Sequence, residues 1–140
     1  MTAISFYNHT RKLFANGEVD LSALKLMLVN GYTFSGADTD VDDIDGYEAS
    51  GGGWPVGGEP ITGAAITIVN TNESMLDAVD LDVEAVGATI GPADGAILYQ
   101  DVSGLRLPLF FVDFEGTEQA LAGAPFRVSW NTSGIARWIN

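Results

Sequence analysis

The densest run of chemically capable side chains is acidic: Asp38, Asp40, Asp42, Asp43, Asp45 and Glu48. Alternating carboxylates can converge on one hard cation, as in calcium loops. An EF-hand loop starting at Asp38 would need glycine at position 43 and glutamate at position 49, where this chain has Asp43 and Ala49. The run therefore reads as a solvated acidic turn or short helix, with no metal assigned. The next segment, Gly51-Gly52-Gly53-Trp54-Pro55-Val56-Gly57-Gly58, could in principle bring backbone N–H groups onto a phosphate. It lacks the Gly-Lys-Ser/Thr ending and the GxGxxG spacing, and it holds no lysine. A backbone path needing unusual dihedrals, anchored at Trp54-Pro55 by packing of the indole, is the better account.

His9 is the only histidine, so one chain cannot supply a two-histidine metal site. A serine–histidine–carboxylate set would need a nucleophile, and no Gly-x-Ser-x-Gly elbow is present. Asp113 and Glu115 alternate along a strand end, as do Asp80, Asp82 and Glu84. Such pairs can serve acid/base chemistry. On a strand they more commonly mark a solvent face or an edge guarded against stray pairing. Three Asn-x-Ser/Thr triplets, at Asn8, Asn72 and Asn131, read as chance occurrences in a chain that shows no secretory signal. These residues give no reason to expect an enzyme, a cofactor or a metal.

The surrounding elements read as strands. Val79, Leu81 and Val83 alternate with carboxylates, and Phe126, Val128 and Trp130 repeat the pattern, which makes Trp130 a core residue. Leu109 to Phe114 is apolar on both faces and belongs in mid-sheet. Strands are expected at Leu24 to Val29, Ala65 to Asn70, Leu76 to Ala85, Ala96 to Gln100, Leu107 to Phe114, Phe126 to Asn131 and Ile135 to Ile139. Ser5 is expected to cap a short N-terminal helix carrying Phe6, Tyr7, Leu13 and Phe14, stopped at Asn16-Gly17, so that residues 1–17 form a helical segment. Residues 32–63 form a long loop, first acidic and then glycine-rich. The expected fold is mainly β: one antiparallel β-sandwich or jelly-roll domain spanning residues 1–140.

The balance of 19 acidic against 6 basic residues gives a net charge of -13. Such a chain is repelled by nucleic acid and by anionic lipid, so neither is an expected partner. The absence of cysteine suits assembly in a reducing cytoplasm, and no segment has the apolar length of a membrane span. Any self-association must overcome charge repulsion by apolar contact, hydrogen bonding or bridging cations.

Several segments, in order, resemble a recurrent small structural protein of tailed bacteriophages. They are Phe6-Tyr7-Asn8, Asn16 to Leu21 running into Leu24-Lys25-Leu26, Gly57-Gly58, Ala96 to Asp101, Pro108 to Phe114, and Phe126 to Ile135. The resemblance implies a β-rich virion protein of the capsid cement (decoration) kind, made in the host cytoplasm. It also implies the major capsid protein as partner and a homotrimer as the assembled state. A tail or neck accessory protein of the same virion is the alternative, and a carbohydrate-binding sandwich using an exposed Trp54 is a second. No catalytic or ligand residues come with the family. The acidic Asp38 to Asp45 segment and Trp54 depart from its pattern. Irregular segments that could reach beyond a sandwich make Phe6, Tyr7, Phe14, Trp54 and Pro55 the candidate docking residues.

Overall fold

A computed structural model describes residues 3–139, and among these every strand pairing is antiparallel. Ten strands form three sheets. The largest has the order β1-β8-β7-β2-β3, built from Ala3–Phe6 (β1), Leu105–Ala120 (β8), Ile90–Val102 (β7), Leu24–Val29 (β2) and Glu59–Pro60 (β3). The second has the order β10-β5-β4, from Ala136–Ile139, Glu73–Asp77 and Ala65–Asn70. The third pairs Leu81–Glu84 (β6) with Pro125–Val128 (β9). All three sheets contribute to one main core, giving a sandwich-like domain of mainly β structure, as the alternation of apolar residues predicts.

Strand β2 shows how sequence sets the layers. Leu24, Leu26 and Leu28 face the main core, while Met27 and Val29 face a second cluster with Ile97, Tyr99 and Phe111. The five-stranded sheet is thus buried on both faces at its centre. The second face is covered by the irregular stretch after β2, which contributes Tyr32, Val41 and Ile44 to that cluster. Residues 32–63, expected as a long loop, are packed short turns that end in β3: the part up to Ile44 is a lid over the second face, while Trp54 and Ile61 enter the main core. Leu109 to Phe114 lies between β1 and β7, the mid-sheet position its two apolar faces require.

Two expectations need correction. The chain around Ser5 is strand rather than helix: Ala3 to Phe6 pair with Asp113 to Phe110, because the long β8 offers an open edge that period-two Ile4 and Phe6 can cover. The helix, α1, is only Thr10–Ala15, with no side-chain cap at His9. Its end is as expected, at Asn16 and a left-handed Gly17 with φ of 68°. The stretch Leu76 to Ala85 is also two strands, not one. Between them the Val79 N–H donates to the Thr62 carbonyl (3.0 Å), and the Val79 carbonyl accepts from the Trp130 indole (3.2 Å). Val79 is therefore 57% exposed instead of inward, and the chain passes from one sheet to another there. Trp130 lies just beyond β9 yet is buried, as expected.

Candidate docking surface

The carboxylates that could have done chemistry are tied into structure. Asp38 accepts the Tyr32 hydroxyl (2.6 Å), and Tyr32 in turn accepts from Tyr7 (3.0 Å). Burial pushes the Tyr7 pKa far up, and the hydrogen bond to Tyr32 and the nearby charge of Tyr32 and Asp38 push it further. Asp40 caps a short turn by accepting from the Asp42 N–H (2.9 Å). Asp45 and Asp42 both pair with Arg106 on β8, and these hydrogen bonds raise the guanidinium pKa further. Glu48 accepts from the Gly57 N–H (2.6 Å). The acidic run is a clasp that holds the lid to the sheet. Among the described residues no group of three or more His, Asp or Glu is placed to hold a metal ion.

The other candidates are similarly engaged. His9 donates through Nε2 to the Pro108 carbonyl (2.6 Å), which with Thr10 Oγ1 on Leu109 (2.6 Å) fixes α1 against β8. Asp113 accepts from the Glu115 N–H (2.8 Å), and Glu115 adopts φ of 58°. That kink interrupts the alternation expected to put the two carboxylates on one face. Asp80 accepts from the Trp130 N–H (2.9 Å), and Asp82 meets Arg127 in an exposed pair worth little.

In the glycine-rich segment the backbone itself is packed. A Cβ at Gly58 would sit 2.6 Å from the Leu26 carbonyl oxygen, and one at Gly52 would sit 2.6 Å from that of Ala88. Both have positive φ. Between them Trp54 is 1% exposed, its indole N–H donating to the Leu26 carbonyl (3.2 Å) and its ring edge-on to Phe126. Trp54 presents no face to a sugar or a capsid. Tyr7 is equally buried. Phe6 and Phe14 are half-buried, both against Phe110, with Phe14 also meeting Trp138 (ring centroids 5.2 Å). Pro55 stands exposed beside Val56, which is 81% exposed at the tip of the segment.

Compared with family models, curated proteins and solved structures, this chain matches none.

Sequence reasoning placed a strand at Ala65 to Asn70 but missed its character. All six residues of β4 are exposed, Ile68 at 85%, and β4 is an edge strand hydrogen-bonded only to β5. Register places Ile68, Ser74 and Trp138 in one row across β4, β5 and β10, with Ile66, Leu76 and Ala136 in the next. A shallow groove beside β4 is lined by Phe14, Ile66, Ser74 and Trp138. From Pro60 to Asn72 no residue is charged, in a chain of net charge -13. That uncharged run, bounded by Glu59 and Glu73, was the available signal.

Proposed function

We propose that this chain is a structural protein of a tailed-bacteriophage virion, acting as capsid cement on the outer shell. The observation that carries the reading is β4: an apolar, uncharged, unpaired strand edge on an otherwise strongly acidic protein. Soluble proteins guard such edges with lysine, proline or a bulge; β4 has neither lysine nor proline, and its one register shift lies toward its end, between Ile68 and Asn70. A strand left open in this way serves contact with other protein. The ordered resemblance to small phage structural proteins supplies the setting. Physical sense supports the outer face, since the negative charge is kept from packaged DNA, and repeated weak contacts around a shell gain avidity. Pro55 and Val56, exposed on a segment whose backbone is held by packed glycines, form a rigid projection suited to a shell subunit.

Heads prepared with and without this protein test the reading. Depleted heads should assemble, release DNA at a lower temperature than complete ones, and recover on adding the protein back. Equal heat resistance, or antibody labelling confined to tails, would reject the cement role in favour of the tail-accessory one.

A further inference from the structure

We propose that β4 pairs antiparallel with β4 of a second copy about a two-fold axis through Thr67, merging two three-stranded sheets into one of six strands. This deepens the reading of β4 as a contact edge by naming its partner, yet it is separable from the capsid role because it concerns purified protein alone.

The occupant follows from the strand's own sequence. Ala65-Ile66-Thr67-Ile68-Val69 reads apolar, isoleucine, threonine, isoleucine, apolar in both directions. A two-fold contact requires such self-complementarity, because each patch meets its own image. With Thr67 opposite Thr67, each Ile66 lies opposite an Ile68; Val69 falls at the register shift between Ile68 and Asn70, so the regular part of the pairing is Ile66 to Ile68. Threonine–threonine and β-branched cross-strand pairs are favourable on a sheet. The four isoleucines then share the face that carries Trp138, so the groove beside Phe14 gains a wall from the second copy. Charge selects the same occupant. A basic partner would find no carboxylate from Pro60 to Asn72, whereas an identical strand brings no like charge into the contact. The remaining acidic surface opposes approach, so this dimer should tighten as salt rises. A complex held by attraction between opposite charges would loosen. The two-fold contact makes a dimer, in place of the trimer that the phage resemblance implies.

The chain has no cysteine, which allows a direct test of register. Antiparallel neighbours have Cβ atoms about 4.5–5.5 Å apart. Thr67→Cys should thus form a disulfide-linked dimer under mild oxidation. Thr71→Cys should not, because its two copies would lie about 25 Å apart along the pair. Sedimentation of the unmodified protein should show twice the 14.8 kDa chain mass, with a stronger dimer at about 1 M than at about 0.15 M salt. Thr67→Lys should weaken it about tenfold or more while leaving the circular dichroism spectrum unchanged. Lysine lowers the negative charge of each copy, so added net repulsion could not explain that loss. A monomer at both salt concentrations overturns the proposal and leaves β4 for a strand of another protein. Equal cross-linking of the two cysteine variants, or a dimer indifferent to Thr67→Lys, overturns it as well.

Discussion

At the scale of single residues, two of the side chains expected to make outside contacts, Tyr7 and Trp54, are ones the fold needs for its own packing. Trp54 fills the junction between β2 and β9, with its indole N–H satisfied by Leu26. Truncating a buried aromatic of this size costs about 3–5 kcal/mol, against a total stability of about 5–15 kcal/mol. Trp54→Ala should therefore lower the thermal midpoint steeply, and an unchanged melting curve would mean the ring is not packed as described. The Tyr7–Tyr32–Asp38 chain makes a second residue-level prediction, in alkali. Both phenols have pKa values raised in the fold, chiefly by burial. In the unfolded chain they release protons near the ordinary value of about 10. Above that pH the unfolded state binds fewer protons than the folded one, so the stability these groups contribute is whole below about pH 10 and is lost as pH rises beyond it. Denaturant midpoints should fall above about pH 10, and Tyr7→Phe should flatten that fall. At neutral pH the variant should lose about 1 kcal/mol for the missing hydrogen bond.

Elements were legible where the pattern was local. Alternating leucines placed β2, and a doubly apolar run placed the centre of β8, because one strand's burial is written in its own residues. Elements whose form depends on a distant partner were not. Nothing near Ser5 announces that β8 has an open edge waiting at Phe110 to Asp113, so helix signals around Phe6 and Tyr7 were overruled by pairing. Nor does Val79 reveal that Thr62 and Trp130 will pull the chain out of line. The glycine-rich segment gave the right inference of unusual dihedrals and of a packed indole, with Pro55 exposed, but Trp54 as a docking residue does not hold, since the close approaches of Gly52 and Gly58 accompany its burial. Gly58→Ala should accordingly destabilise the domain by more than about 1 kcal/mol, because the new methyl meets rigid backbone at positive φ. Chemical denaturation would measure it. A neutral result would show that the segment can shift to make room.

On the scale of the whole molecule, composition told more about the site than any motif did. The motif-like stretches, acidic and glycine-rich, proved to be fastened into the fold, whereas the exposed edge of β4 is marked by an absence of charge that no motif describes. Exposure of β4 was not readable from its residues, since Ile66 and Ile68 would be equally at home in a core; it depends on β4 closing the margin of the second sheet. The same bare edge has a colloidal consequence. A six-residue β-branched strand free of charge and proline is the sequence type that seeds fibres. Two-fold closure would consume both copies of the edge in one encounter and leave no second β4 to propagate. Until mates meet, the acidic remainder of the chain supplies the brake, holding strays apart long enough for only a well-registered contact to persist. That brake fails as pH approaches the isoelectric point of about 4.1, where the strand remains sticky and the repulsion is gone.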